Sequence, residues 1–347
     1  MSAQVLDLSA AGVICAAGST APAACAAMRA GIAAFGELPY WDKNRLPVIG
    51  AAVRCLGFEG ASVSRLVEML ALALQESIEG MPATALETVP LLVGIAEPGR
   101  PGGADAWGRD VVALVEKRLD VRFHRRLSGA LPLGHTAAFE GLRLARQLLR
   151  EHDVPGCLVC GVDSYLNAST LYWLDQHWRL KRENHTDGVI PGEAAASIYV
   201  QRQYPARTPH GIEAVGLGFA LEEAGVLSER PLLALGLASA GREALAEASL
   251  GFHEVEFRLS DVTGESYGFR ELALVEGRLA VVVRKPAQPL WHSADSIGDT
   301  GAASGLIQLA WASDAWAKGY APGARAACFS SAVAGGRAVA MLRSRAA

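Results

Sequence analysis

The chain has 347 residues, of which 51% are hydrophobic and 20% charged, and its formal net charge is −4. This length supports one large or two medium-sized globular domains with a substantial core. The weakly acidic balance does not favour nucleic acid binding, which calls for a basic face. No apolar run reaches the roughly 18 residues of a membrane-spanning helix. We therefore expect a globular protein with neither a nucleic acid nor a membrane as partner.

Predicted strands and helices alternate along the chain. The first stretch, MSAQVLDLSAAGVICAAGS, lacks a basic leader and is interrupted by Asp7, so it predicts a strand and not a signal peptide. Short apolar runs bounded by turn residues predict buried strands at 89–97 and 156–163. Helical periodicity occurs at 62–80, 136–152, 241–251 and 300–319. This alternation predicts an α/β fold.

The cysteines are few for the length and lie mostly in apolar segments, which predicts buried thiols in a reducing compartment. Two of them form C-x-x-C within the apolar run GCLVCGVDS. Positions three apart on a strand face opposite sides, so core thiols are favoured over a redox or zinc pair. The six residues are Cys15, Cys25, Cys55, Cys157, Cys160 and Cys328.

One element occurs twice, as LGHTAAFEGLRLA at 133–145 and as IGDTGAASGLIQLA at 297–310. A shift of 164 residues superposes the two, and each copy leads into a helix and then an apolar strand. Because this shift is close to half the chain length, the repeat predicts two similar halves whose copied helices pack together. The alternative is chance similarity between helices rich in Ala and Gly. Small residues would let the helices approach closely: Ala138, Gly141, Ala302 and Gly305.

The segment 165–193 combines aromatic and charged residues without a clean period. It predicts a long excursion, and ordered excursions of this length often contact a partner. We divide the chain into an N-terminal half, 1–205, which contains this excursion, and a C-terminal half, 206–347. The aromatic residues of the excursion are candidates for partner contact or for packing against its own body: Tyr165, Tyr172, Trp173 and Trp178.

Seven segments follow one another along nearly the whole chain in a familiar order. They are GVICAAGSTAPAACAAMRAGIAAF (12–35), the element at 133–149, CGVDSY (160–165), TDGVIPGEAAASIYV (186–200), DVTGE (261–265), ADSIGD (294–299) and CFSSAVAGGRAVAML (328–342). This series resembles the β-ketoacyl-(acyl carrier protein) synthases of the thiolase superfamily. The resemblance implies the thiolase fold, a layered αβαβα sandwich of two pseudo-symmetric α/β halves. The chain is shorter than is usual in that family, which implies trimmed loops or helices around the site.

The resemblance places residues of a different chemistry at the family's reactive positions. The family's nucleophilic Cys corresponds to His135, its two catalytic His residues to Asp261 and Asp299, and its Lys to Ala294. The surrounding Gly, Thr and Ala residues are retained. The resemblance therefore implies a degenerate active site, and we assign the chain no catalytic, cofactor-binding or metal-binding residue.

The family's condensation needs a thiolate, whose pKa the N-terminus of a helix lowers. Imidazole does not hold a stable acyl group, and a helix N-terminus is expected to keep His135 neutral. Carboxylates at 261 and 299 would repel an oxyanion. Three interpretations of the replaced site stay open: a His–Asp pair that fills it, a new hydrolytic or acid–base activity, and a weak metal site.

The resemblance favours a binding protein over an enzyme. The first hypothesis is a scaffold similar to the thiolase-like accessory proteins of bacterial type VI secretion effectors, or to the chain-length factor that pairs with an active ketosynthase. The second is an acyltransferase or hydrolase of acyl thioesters with His135 as base, which predicts an open tunnel to that residue. The expected partners are a second thiolase-fold chain, identical or related, and an effector or a carrier protein. No cofactor is expected, and the expected location is the bacterial cytoplasm.

Overall fold

Strands and helices alternate along the chain, as the sequence predicts. The computed structural model describes residues 4–57, 60–103, 107–203, 211–282 and 288–345. Its strands are β1 (Leu6–Cys15), β2 (Gly36–Trp41), β3 (Pro47–Gly50), β4 (Leu91–Ile95), β5 (Gly129–Pro132), β6 (Cys157–Ser164), β7 (Glu193–Arg202), β8 (Ile212–Leu221), β9 (Phe257–Ser260), β10 (Leu290–His292), β11 (Arg325–Ser331) and β12 (Gly336–Ser344). Its helices are α1 (Ala21–Arg29), α2 (Val63–Ser77), α3 (Ala83–Leu86), α4 (Val111–Leu119), α5 (Ala137–Glu151), α6 (Ala168–Gln176), α7 (Leu235–Ala248), α8 (Ser266–Leu279), α9 (Ala294–Ile297) and α10 (Ser304–Ala317). The predicted strands and helices named above are all present.

Most of the strands form one mixed sheet. Its strand order is β10-β9-β11-β12-β8-β1-β7-β6-β4-β5, while β2 and β3 form a separate hairpin. In the N-terminal half, β5, β4 and β6 are parallel, and β7 runs antiparallel to both β6 and β1. In the C-terminal half, β10, β9 and β11 are parallel, and β12 runs antiparallel to both β11 and β8. The two halves therefore share one topology.

The halves meet at a short seam in the sheet and at the helices between them. Leu6–Leu8 of β1 pairs with Ile212–Ala214 of β8. Our boundary between residues 205 and 206 falls outside the described residues. Buried side chains of α5 and α10 lie in one core cluster with side chains of both half-sheets, including Phe139, Leu142, Leu306 and Ile307. Burial of apolar surface between the halves is thus a main stabilising contribution at this junction.

In the structure, the two copies of the repeated element correspond at a different sequence shift from the predicted one. Gly134 and Gly301 each begin a 3₁₀ turn with a positive φ, of 56° and 50°. These two turns lead into α5 and α10, so the structural shift is 167 residues and the predicted shift of 164 is wrong by one such turn. A Cβ on Gly305 would lie 2.6 Å from Cβ of Ala138, which confirms the close approach of the helices there. Gly141 faces Val159 of β6 instead of the other helix.

The excursion is more regular than the sequence indicates. It contains α6, whose N-cap is Asn167, with the side-chain Oδ1 accepting from the Thr170 N–H at 2.9 Å. Leu171 and Leu174 lie on the buried face of this helix. Trp178 follows with a φ of +56°, in the left-handed region where helices commonly end. Because the excursion mixes aromatic and charged residues, the short helical period of α6 is not apparent from the sequence.

The C-x-x-C pair lies in the core, as the sequence predicts. Cys157 and Cys160 are buried free thiols on β6, and burial raises the pKa of Cys157 to about 12. Cys55 is the exposed exception to the prediction of buried cysteines. None of the helices in the described ranges has the length and apolar content needed to span a bilayer.

Candidate functional site

Three residues that the sequence singles out line one cavity between the halves. His135 lies in the 3₁₀ turn before α5, Asp261 follows β9, and Asp299 follows α9. The cavity has a volume of about 50 Å³, which is room for a few water molecules and not for an acyl chain. Ala294 begins α9 and is not part of this lining. The structure thus brings together three of the four positions.

His135 and Asp299 form a buried ion pair. The distance between His135 Nε2 and Asp299 Oδ1 is 2.8 Å, and both residues are 4% exposed. Burial alone would lower the pKa of His135, but the charge and hydrogen bond of Asp299, with Asp261 and Glu97 nearby, raise it to about 9. Burial likewise acts to raise the pKa of Asp299, and His135 outweighs it and holds that pKa below its usual value. The expected neutral His135 is therefore wrong, because the adjacent carboxylate outweighs the helix dipole.

The His135–Asp299 pair makes stability depend on pH. The pKa of His135 rises from 6.5 to about 9 on folding, so its contribution is complete below pH 6.5 and is lost as the pH rises through 9. A pKa that rises this far on folding contributes about 3 kcal/mol to the free energy of unfolding. We expect the unfolding free energy of the wild type to fall between about pH 6 and pH 9.5, and that of His135→Gln to fall much less. Urea unfolding at both pH values measures the difference, and equal pH dependence of the two proteins would contradict the ion pair.

Asp261 is linked to His135 through a serine hydroxyl. Ser330 Oγ lies 2.8 Å from Asp261 Oδ2 and 2.7 Å from the carbonyl oxygen of His135. One hydroxyl proton cannot satisfy two acceptors, so both contacts become hydrogen bonds when the Asp261 carboxyl itself carries a proton. Burial raises the pKa of Asp261, although the charge of His135 and the hydrogen bond from the Ser331 N–H act to lower it. The Ser330 hydroxyl therefore joins Asp261 to the turn that carries His135.

Two further ion pairs close the walls of the cavity. Arg179 from the excursion donates from Nε and Nη2 to the two carboxylate oxygens of Glu265, at 2.7 Å each. Arg337 donates from Nε to Glu271 at 2.8 Å, and both side chains are 1% exposed. The charged groups of this lining are therefore engaged with one another.

Sequence reasoning missed a second charged cluster beside His135. Asp163, at the end of β6, pairs with Arg100 and accepts from the Ala302 N–H at 3.0 Å. The Arg100 guanidinium lies 4.1 Å from the ring centre of Tyr165 and near Glu97. The sequence did contain a signal for this cluster. Glu97 and Asp163 are charged residues that lie at or just beyond the carboxyl ends of two buried strands. This cluster ties β4 and β6 to the turn before α10.

The aromatic residues of the excursion divide into two groups. Tyr172 and Trp178 are 67% and 60% exposed, whereas Trp173 is half-buried. Tyr165 is 1% exposed, so of the two predicted alternatives it packs against the body of the protein. It follows Asp163 on a strand end and packs under Arg100, which explains its burial.

The site holds neither a thiolate nor a free base. His135 occupies the helix N-terminus with its Nε2 engaged by Asp299, and a pKa near 9 keeps it protonated at neutral pH. Within the part of the chain that the structure describes, no group of three or more His, Cys, Asp or Glu side chains is placed to hold a metal ion. The arrangement fills the site with charge pairs.

The solved structures that are similar to this chain include ketosynthases and chain length factors. The ketosynthase from module 6 of the bacillaene synthase of Bacillus subtilis 168 matches with 13% identity over 98% of this chain and 72% of that chain, at a TM-score of 0.79. The ishigamide ketosynthase/chain length factor matches with 15% identity over 98% and 99%, at 0.79. A ketosynthase in complex with its chain length factor from Xenorhabdus doucetiae matches with 15% identity over 98% and 98%, at 0.75.

No protein-family model and no curated protein sequence matches the chain. The fold likeness covers nearly the whole chain in each of the three structures. The chain therefore has the thiolase fold in the form that ketosynthases and chain length factors adopt, as the motif order predicts. At these identities the likeness establishes the fold, and function has to be argued from the site.

Proposed function

We propose that this chain is a catalytically degenerate ketosynthase-fold protein that acts as a protein-binding scaffold. The observation that carries the proposal is the buried His135–Asp299 pair at 2.8 Å, at the position where the fold's enzymes are expected to hold their nucleophile. An acyl-transfer step needs a nucleophile that ionises or is deprotonated by a neighbouring base. Neither condition is met by an imidazolium bound to a carboxylate.

The site geometry opposes the rival hypothesis of an acyl-thioester enzyme. That hypothesis needs His135 as a free base and an open tunnel that leads to it. His135 is protonated at neutral pH, and the cavity beside it has a volume of only about 50 Å³. The Asp299 carboxylate, which is bound to His135, also gives a developing oxyanion no donor.

The decisive test is incubation with acyl-coenzyme A and acyl carrier protein thioesters, followed by intact-protein mass spectrometry and a free-thiol assay. We expect no covalent acyl adduct and no thiol release above the buffer rate, with the same result for His135→Gln. Native mass spectrometry of the same sample reports whether the folded chain pairs with a second thiolase-fold chain. An adduct or a thiol release that disappears in His135→Gln would establish an enzyme and end the scaffold proposal.

The free edge of the sheet supports a second thiolase-fold chain as partner. Among the described strands, β5 stands at one end of the sheet order and pairs with β4 only. Its residues are not buried, and Leu133 just beyond it is 39% exposed. An unprotected strand edge is a template for pairing with another chain.

Among the finer functional assignments, one has a specific observation in its favour. Solved ketosynthase/chain length factor structures are among the matches, which favours a role like that of the chain length factor, an inactive partner of a related ketosynthase. The role as an adaptor of a type VI secretion effector rests on the sequence resemblance alone. Both are scaffold functions, and co-purification with a co-expressed ketosynthase or effector separates them.

A further inference from the structure

Buried polar atoms that lack a hydrogen-bond partner gather beside His135. Among the described residues, no partner lies within reach of Glu97 Oε2, Arg100 Nε and Nη1, His135 Nδ1 or the Tyr165 hydroxyl. These four residues, which we call the Glu97 cluster, are between 1% and 6% exposed. The other three lie outside the lining of the cavity at His135. Because buried polar groups are nearly always paired, with protein or with ordered water, the cluster indicates a shared ligand.

The members of the Glu97 cluster pack against one another. Arg100 Nε lies 3.6 Å from Glu97 Oε1, and the guanidinium carbon lies 4.1 Å from the centre of the Tyr165 ring. The ring centres of Tyr165 and His135 are 6.5 Å apart. A Cβ on Gly134, the residue before His135, would lie 2.5 Å from Glu97 Oε2. The Glu97 carboxylate therefore lies directly against the turn that carries His135.

Two glycine turns close the Glu97 cluster. Gly134 and Gly301 begin the turns before α5 and α10. A Cβ on Gly301 would collide with the Asp163 carboxylate and would lie 3.1 Å from Cε2 of Tyr165. Because the backbone of both turns packs directly against these side chains, the cluster has room for a ligand of a few atoms and not for a larger one.

The charges around the Glu97 cluster favour an uncharged ligand. The cations are Arg100 and the protonated His135. The carboxylates beside them are those of Glu97, Asp163 and Asp299. An anion would add to this excess of negative charge, and a cation would face the N–H groups of Arg100 and His135. Within the described ranges, the His, Cys, Asp and Glu side chains also form no group that could hold a metal ion.

The unpaired atoms include donors and an acceptor. The N–H groups of Arg100 and of protonated His135 only donate, the Glu97 carboxylate only accepts, and the Tyr165 hydroxyl does either. A ligand shared by these groups has to accept and to donate hydrogen bonds. A buried water molecule does both, and it typically makes about three hydrogen bonds to polar groups of this kind.

We infer that a buried water molecule occupies the Glu97 cluster and joins His135 Nδ1 to Glu97 Oε2. It accepts from the Nδ1–H, donates to the carboxylate, and makes a further hydrogen bond to Arg100 or Tyr165. His135 is then held at both ring nitrogens, by Asp299 directly and by Glu97 through water. The inference goes beyond the scaffold function, since this water site needs no protein partner.

The first test is a high-resolution crystal structure of the full-length chain and of two variants. In the wild type we expect one water molecule about 2.7–3.2 Å from both His135 Nδ1 and Glu97 Oε2. Glu97→Gln retains an acceptor oxygen and should retain the water. Glu97→Leu has a side chain of similar size without an acceptor, and it should lose the water.

The second test detects the water in solution and needs no crystals. A long-lived bound water should give a rotating-frame Overhauser cross-peak between the His135 Nδ1–H and the water resonance, with the sign opposite to that of an exchange peak. We expect this cross-peak in the wild type and in Glu97→Gln, and its loss in Glu97→Leu. Glu223→Leu is the matched control, because Glu223 is 75% exposed, and it should keep the cross-peak.

Four results would each overturn the inference. They are a wild type without the water and its cross-peak, a direct hydrogen bond between Nδ1 and Oε2, an ion in place of the water, and a water that stays bound to His135 Nδ1 in Glu97→Leu. None of these results bears on the acyl-transfer test, so the scaffold proposal would stand. Conversely, acyl transfer at His135 would remove the scaffold proposal and leave the water site to be decided by its own tests.

Discussion

Glu271→Ala is expected to destabilise the protein by about 3–5 kcal/mol, because it leaves a buried guanidinium without its counter-ion. The Glu271 and Arg337 side chains are 1% exposed, and their Nε–Oε1 distance is 2.8 Å. Without the carboxylate, the hydrogen-bond partners that Arg337 keeps among the described residues are the carbonyls of Ala332 and Gly336 and the Tyr267 hydroxyl. None of these groups carries a compensating charge. Urea unfolding at pH 7 measures the loss.

The matched control is an ion pair of the same chemistry on the surface. Glu223 pairs with Arg230, and these side chains are 75% and 67% exposed. Glu223→Ala should change the unfolding free energy by no more than about 0.5 kcal/mol, because water screens the pair. Equal losses in the two variants would show that burial does not set the strength of the Arg337–Glu271 pair.

Gly161→Ala is expected to destabilise the protein by about 3 kcal/mol or more, through overpacking at the junction of the halves. An added Cβ would lie 2.3 Å from the carbonyl oxygen of Ala302, in the turn before α10. This backbone has little freedom to retreat, since the Ala302 N–H is bound to the Asp163 carboxylate. Thermal and urea unfolding should both show the loss.

Gly277→Ala makes the same substitution where there is space. Gly277 lies within α8, and an added Cβ meets nothing within 4 Å. The variant should gain about 0.5–1 kcal/mol from the lower backbone entropy of its unfolded state and the better helix propensity of Ala. If both alanine variants proved equally stable, the close contact between β6 and the turn at Ala302 would be refuted.

The fold was predictable because its signals are long or repeated. The helical period of α5 and α10 predicts these helices from local sequence, and the apolar runs of β4 and β6 predict these strands in the same way. The repeat predicts the relation between the halves. The convergence of His135, Asp261 and Asp299 followed from motif order alone. Each of these residues lies at the end of an element, where the fold determines its position.

The details that the sequence did not predict depend on contacts between distant segments. The register of the repeat follows from the 3₁₀ turns that begin at Gly134 and Gly301, which letters such as G-H-T and G-D-T do not distinguish. The charge of His135 depends on the 2.8 Å contact with a residue 164 positions away. Arg100, Asp163 and Tyr165 join only when β4 and β6 are neighbours in the sheet. Each case is one in which tertiary proximity decides a local property.

The buried ion pair also constrains the routes by which this site could evolve. A cysteine at 135 with Asp299 retained would place a thiol beside a carboxylate, which disfavours the thiolate. A histidine at 299 with His135 retained would remove the carboxylate that pairs with that imidazole. Each single step therefore leaves a buried group beside a partner of unsuitable charge. Both positions have to change before the site can hold a reactive nucleophile, so the pair stabilises the non-nucleophilic state against single substitutions.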